Sequence, residues 1–271
     1  MEPPPSPGRP EQAEAAWAVV ITAAGASARM EGGNPAENRK KEYRPLAGRL
    51  DGEGKPLTVL GAAVSAFAAF ADITAIVITV PRNPETGEKA ARRALPSRFF
   101  EGGGPELLFV PGGKTRRESV HHALALLAAY HPRYVLIHDG ARPWVDAPLI
   151  QRTMEAVISC GAALPVLPLV ETPKEIGPGV PTGIPAGPFF VTRHLRRAAV
   201  GAAQTPQGFA FPEILAAHEK AAARELAEGF EYTDDAEIWG EFCGPVAAVP
   251  GSPENRKITF PGDLPGGGDG D

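Results

Sequence analysis

Residues 73–80 read ITAIVITV, a strand-length run without a charged side chain. Successive side chains of a strand point to opposite faces, so a run that is apolar at nearly every position must be covered on both. That requirement selects a largely parallel sheet between two layers of helices. The rest of the chain supplies the pieces. Trp17–Thr22 is a second short apolar strand, 133–138 (RYVLIH) a third and 161–169 (GAALPVLPL) a fourth. Between them, 58–70, 114–130 and 148–159 read as helices, the first helped by its alanine content. The expected fold class is α/β, one doubly wound domain over 16–264 with no internal repeat.

Two stretches interrupt this alternation. Residues 31–56 (EGGNPAENRKKEYRPLAGRLDGEGKP) read as one long polar loop. Residues 171–192 (ETPKEIGPGVPTGIPAGPFFVT) hold too much glycine and proline for a regular helix. Loops this long inside a compact domain are usually functional or disordered, and the second is a candidate arm leaving the body of the fold. The proline-rich residues 1–15 are expected to be disordered, and the glycine-rich 265–271 to form a flexible tail.

The N-terminus lacks the apolar core of a signal peptide, and no apolar run approaches the ~20 residues that span a bilayer, so a cytoplasmic location is the default. A net charge of -5 argues against general nucleic-acid binding, which needs a basic face. It leaves room for a small anionic substrate held by a few placed cations. Cys160 and Cys243 lie far apart without CxxC spacing, which indicates neither a disulfide framework nor a zinc site. Both are expected to be buried or half-buried thiols in a reducing compartment.

In an open parallel sheet, ligands bind beyond the carboxyl ends of the strands. Four such places stand out. After Trp17–Thr22 the chain runs Ala23-Ala24-Gly25-Ala26-Ser27-Ala28 and then Arg29. Residues this small let a ligand approach the backbone, and a cation beyond them points to an anion, although a plain strand-to-helix turn would look the same. Lys40 and Lys41 follow in the loop, where a solvated basic cluster is the alternative reading.

The second place is Gly112-Gly113 before the helix that begins KTRRES, where a glycine turn would offer N–H groups to a base or phosphate. A P-loop is excluded, because the first glycine of GxxxxGK[ST] would fall on Leu108. The third is HDGARP at 138–143. Asp139 emerges from a buried strand and needs a metal, a cation or exposure, and Arg142 could simply be its ion-pair partner. The fourth is SPENRKIT at 252–259, where Lys257 is expected to open a last short strand. Arg29, Lys41, Lys257 and Asp139 together fit phosphoryl or nucleotidyl transfer, which needs neutralised phosphates, a carboxylate-held Mg²⁺ and no nucleophile on the protein. No GxSxG is present, and neither cysteine has a histidine near it in sequence.

The segments AAGASARM, KKEYRPL, PGGKTRRESV, HDGARP, AQTPQGF, YTDDA and NRKIT occur in this order, and the chain so resembles the 2-C-methyl-D-erythritol 4-phosphate cytidylyltransferases over about residues 17–263. The resemblance implies a Rossmann-like nucleotidyltransferase fold with a protruding dimerisation arm at about 171–198. It implies transfer of CMP from CTP to methylerythritol phosphate with release of pyrophosphate, in the non-mevalonate isoprenoid route, assisted by Mg²⁺. By match of motif, Arg29, Lys41 and Lys257 are the phosphate-binding, catalytic cations. Ala23, Ala24, Gly25, Gly112, Gly113 and Ser119 fall on the nucleotide site, and Asp139 on the metal.

Arg142, Thr172, Arg197 and Thr205 match positions that receive the acceptor, with Arg193, one helical turn earlier, the alternative to Arg197. The arm would complete the site of a neighbouring copy in a homodimer, with neither nucleic acid nor membrane as a partner. The loop at 31–40 is longer than the family usual, and Glu254 stands where Asp is common. Ribitol-5-phosphate cytidylyltransferases share most of these motifs, and a catalytically silent nucleotide-binding protein could use the same fold.

Overall fold

The computed structural model describes residues 16–25, 40–83, 87–177 and 190–264. In its first half the strands are β1 (Trp17–Thr22), β2 (Pro45–Leu50), β3 (Pro56–Thr58), β4 (Ile73–Val80), β5 (Glu106–Pro111) and β6 (Tyr134–Asp139). The helices there are α1 (Val59–Phe67), α2 (Glu88–Arg93) and α3 (Arg116–Leu127). The second half adds α4 (Ala147–Cys160), β7 (Ala162–Pro168), β8 (Lys174–Gly177), β9 (Phe190–His194), β10 (Gly201–Ala203) and β11 (Gln207–Ala210). It ends with α5 (Glu213–Glu228), α6 (Asp235–Phe242) and β12 (Ala247–Pro250).

Eight strands form one sheet in the order β10-β7-β11-β6-β1-β4-β5, with β12 also paired to β7. The pairs β1–β4, β1–β6, β4–β5 and β7–β12 are parallel, while β11 runs antiparallel between β6 and β7, and β10 antiparallel to β7. Alternating residues of β1 explain the two layers. Trp17, Val19 and Ile21 pack with Leu60, Val64 and Phe67 of α1 and with α4. Ala18 and Val20 pack on the opposite face with Val120, Leu124 and Leu127 of α3, and with Ile214 of α5 and Trp239 of α6. Burial of this kind contributes ~25 cal/mol per Å² of apolar surface, which is why the double-sided apolar pattern dictates the fold. Side-chain caps mark where the helices start: Thr58, Thr115, Asp146 and Asp234 each accept a backbone N–H three residues on.

Several sequence expectations need correction. The expected loop 31–56 is not loop throughout: Pro45–Leu50 and Pro56–Thr58 pair antiparallel as β2 and β3, unrecognisable by pattern because Leu46 is the only buried residue of β2. Residues 251–258, with Lys257, have no regular secondary structure, so no strand opens there. Cys160 and Cys243 are both exposed, lying at the C-terminal ends of α4 and α6 rather than in the core. The Gly/Pro-rich 171–192 is indeed not helical where it is described: β8 and β9 form a separate two-stranded ladder. Residues 1–15, 26–39 with Arg29, 178–189 and 265–271 lie outside the described residues.

Candidate active site

The sheet reverses its direction of growth at β1. The chain steps from β1 to β4 to β5 on one side and then crosses back to lay β6 on the other. The register aligns Thr22 with both Thr79 and Asp139, so the carboxyl ends of β1, β4 and β6 finish level. A crevice at such a reversal is where open α/β sheets bind ligands. An open cleft of about 530 Å³ lies there. Ala24, Gly25, Gly113, Ser119, Lys41, Asp139 and Lys257 line it, seven of the residues expected from sequence.

Asp139 is the electrostatic centre. Its Oδ2 is 2.8 Å from Lys257 Nζ and 3.6 Å from Arg142 Nε, and its Oδ1 is 3.8 Å from Arg116 Nε. Burial alone would raise the carboxyl pKa, but the charges of Lys257, Arg116 and Arg142 outweigh it and hold the group well below the usual carboxylate range. Asp139 is therefore an anion at neutral pH. The reading that Arg142 merely pairs with Asp139 captures only part of this, since Lys257 is much the closer partner.

The loop bearing Lys257 is held by its neighbours. Ile258 is fully buried with Leu46, Val59 and Ala62, its N–H donates to Ala141 O (2.8 Å), and its carbonyl accepts from Lys41 Nζ (2.8 Å). Asn255, also buried, donates from Nδ2 to Thr205 O (2.8 Å), while its own carbonyl accepts from Arg142 Nη1 (2.8 Å). Gln204 donates to Ser252 O and accepts from Ser252 N–H. These bonds replace the ladder that a strand would have provided.

The glycine turn differs from expectation. Gly112 N–H donates to Val80 O (2.8 Å), and Gly113 N–H donates to Ser119 Oγ (2.9 Å), so neither amide is presented to a ligand. Gly112 is small for a different reason: a Cβ there would collide with Ala24 Cβ and press on Ser119 Oγ. Gly25 is unlike it, because a Cβ there would point into open space. Ala23 is buried under the turn, its N–H bonded to Thr79 Oγ1 (3.1 Å). Lys40, beside Lys41, is also buried, donating to Gly25 O and paired with Glu42 at 3.2 Å.

Thr205 is buried behind Asp139. Its Oγ1 accepts from Asp139 N–H (3.0 Å) and lies 3.0 Å from His138 Nδ1, while His138 Nε2 reaches Arg142 O at 3.1 Å. Burial pushes His138 down to about 4, so the ring is neutral; it is consistent with Nε2–H donating to Arg142 O and Nδ1 accepting from the Thr205 hydroxyl. Thr172 and Arg197 are exposed, and Arg197 Nη1 donates to Val170 O (2.7 Å). Neither lines the cleft of its own chain.

Sequence reasoning missed Arg116, His138, Asn255 and Asp235. Arg116 had a usable signal: it sits three and four residues before buried Ser119 and Val120, on the inward face of α3. The other three lie within the quoted motifs HDGARP, NRKIT and YTDDA, but the motifs do not show the contacts they make with residues distant in sequence, Thr205 for His138 and Asn255 and Arg116 for Asp235.

An open cleft at the switch point, lined by two lysines and a buried carboxylate, defines a nucleotidyltransferase of the α/β type. Its closer affiliation follows from comparison with known proteins. Residues 17–266 match the family model for 2-C-methyl-D-erythritol 4-phosphate cytidylyltransferase (IspD), and the chain belongs to that family. The protein of that name from Acidobacterium capsulatum is 35% identical over 246 residues, covering 91% of this chain and 93% of the relative. A bifunctional enzyme IspD/IspF from Mesorhizobium japonicum is 37% identical, and this chain spans 53% of its length. Among solved structures, the cytidylyltransferase from Thermus thermophilus superposes with a TM-score of 0.59 at 31% identity, covering 91% of this chain and 94% of that one. The synthase from Anaerococcus prevotii shares the fold with a TM-score of 0.69 at 24% identity, covering 92% and 93%.

Proposed function

We propose that this chain transfers CMP from CTP to 2-C-methyl-D-erythritol 4-phosphate, releasing pyrophosphate. The observation that carries the proposal is the Lys257–Asp139 contact at the strand reversal, with Lys41 bound to the adjacent residue, Ile258. The reaction places an acceptor phosphate oxygen against the α-phosphorus while negative charge moves onto the departing pyrophosphate. Lys41 and Lys257 neutralise that charge, and Asp139 aims Lys257. Arg29, in residues outside the description, is proposed as a third cation. Ala24, Gly25, Gly113 and Ser119 form the wall for the nucleoside, together with Ala23 and Gly112 that shape the turn.

A divalent cation fits this arrangement through one carboxylate. Among the described residues no three His, Cys, Asp or Glu side chains cluster to hold a metal, so Asp139 would bind it with phosphate oxygens of CTP. Asp139 Oδ1 is the less engaged oxygen, with Thr22 Oγ1 at 3.5 Å and Arg116 Nε at 3.8 Å. When bound, Mg²⁺ supplies polarisation of the phosphates.

Arg142 and Thr205 are proposed to shape the acceptor side, and Thr172 and Arg197 to reach a neighbour's acceptor. The exposure of Ile176, Phe190 and Val191 on the β8–β9 hairpin supports that role for the arm, because it places apolar side chains where a second copy would cover them. Among the described residues no helix is long and apolar enough to cross a membrane.

The test is to incubate the purified chain with CTP, Mg²⁺ and methylerythritol phosphate and to detect the cytidine diphospho-alcohol and pyrophosphate. Ribitol 5-phosphate, offered in parallel, is expected to turn over far more slowly. Equal or better use of ribitol phosphate would replace this reading.

A further inference from the structure

Arg116 stands between two carboxylates. Its Nη2 is 2.7 Å from Asp235 Oδ2, a short charge-assisted bond, and its Nε is 3.8 Å from Asp139 Oδ1, too far for a hydrogen bond. Asp235 is completely buried at the first position of α6, and His218 Nε2 of α5 lies 3.3 Å from its other oxygen. Its placement is over-determined. Asp234 caps α6, and Gln207 Oε1 accepts from the N–H groups of both Asp235 and Ala236. The start of α6 is thereby fixed to β11, which lies next to β6 and Asp139.

We propose that Asp235 is a positioning residue that holds the Arg116 guanidinium off Asp139. The inference rests on the nucleotidyltransferase reading of the cleft. Arg116 contributes positive charge to the cleft wall, but it must not cap the carboxylate that aims Lys257. With Asp235 holding one edge of the guanidinium, Asp139 keeps Lys257 as its close partner at 2.8 Å, and Arg116 stays 3.8 Å from Oδ1 of this cleft-lining residue. Without that hold, Arg116 would close the gap to Asp139, the other carboxylate with which it is paired. Loss of such a supporting contact typically lowers activity ~10–100-fold.

Two measurements test this. A crystal structure of Asp235→Asn is expected to show Arg116 moved to hydrogen-bonding distance of Asp139; a guanidinium left at its present separation overturns the proposal whatever the substrate proves to be. In turnover with CTP and methylerythritol phosphate, Asp235→Asn is expected to lower kcat about tenfold or more, with less effect on KM for CTP. The variant Arg116→Gln, with and without Asp235→Asn, separates positioning from general stability. If Asp235 acts through Arg116, adding Asp235→Asn to Arg116→Gln costs no further kcat; an equal additional loss in both backgrounds overturns the proposal. The double variant removes the charges of Arg116 and Asp235 together, so that comparison stands even if Asp235→Asn alone fails to fold. Inactivity of the unsubstituted chain would count against the functional reading, and the crystallographic result would still decide the positioning one.

Discussion

Lys41 Nζ donates to the backbone carbonyl of Ile258 at 2.8 Å, joining segments 217 residues apart. The contact places the start of one basic segment directly against the residue after Lys257. Two cations that are unrelated in sequence thus share one rim of the cleft, and the buried Ile258 side chain anchors both.

Lys257→Ala is expected to lower kcat by ~10²–10³ while changing KM for CTP much less, as when one preorganised contact to transition-state charge is lost. Steady-state pyrophosphate release at varied CTP measures both. Near-normal kcat would mean that the Asp139–Lys257 pair is structural.

Asp139→Asn preserves shape and removes the charge that three cations face. Most turnover should disappear while near-UV circular dichroism shows a folded protein, because an amide neither aims Lys257 equally well nor draws a hard cation. Undiminished turnover, or turnover indifferent to excess chelator, would remove Asp139 from the proposed metal site.

The parts of this protein that were legible in the sequence were those with uniform surroundings. β1 and β4 begin and end where their apolar runs do, because both faces of each strand are buried. β2 gave no pattern, since only Leu46 points inward, and β11 holds four residues, one of them glycine. The cleft residues Lys41, Asp139 and Lys257 were found through their chemistry and motif. Their supports were not, because Asn255, Gln204 and Asp235 act through bonds to distant backbone or side chains. The glycine turn was misread for a related reason: sequence shows that Gly112 and Gly113 have amides to offer, but not that Val80 and Ser119 have already taken them.

Asn255→Ala should destabilise the protein by about 1–3 kcal/mol, since the Thr205 carbonyl loses its buried donor. Urea denaturation measures the loss. Turnover should fall as well, because the same bond helps hold the Lys257 loop. A variant as stable and active as the parent would show that the Asn255 side chain is not needed to hold that loop.

Asp235 should also make stability depend on acid pH. Burial would raise its carboxyl pKa, but Arg116 and His218 outweigh burial and lower it below the unfolded value. The unfolded chain therefore binds more protons in the window just below ~pH 4, so this stabilisation is complete above that pH and is lost as the pH falls through the depressed folded value. The parent should be more stable than Asp235→Asn at pH 7, with the gap between their urea midpoints shrinking by pH 3. A gap that is constant across that range would show that the carboxylate charge is not what stabilises the pair.

Mixing two inactive variants tests whether the arm serves a neighbour. Lys41 lines the cleft, whereas Arg197 is exposed and held to Val170 O, away from the cleft lining of its own chain. If each site combines the cleft of one copy with the arm of another, Lys41→Ala and Arg197→Ala should each be nearly inactive alone. A mixed dimer would then hold one site with both lesions and one with neither, so about half of the sites in mixed dimers should work. Subunit exchange is verified by mass spectrometry of differently tagged chains, and turnover is measured before and after it. Recovery of activity in step with the mixed-dimer fraction supports the shared site. Mixed dimers that form and stay inactive would place Lys41 and Arg197 in the service of one chain's own site, and the exposed apolar side chains of β8 and β9 would need another explanation.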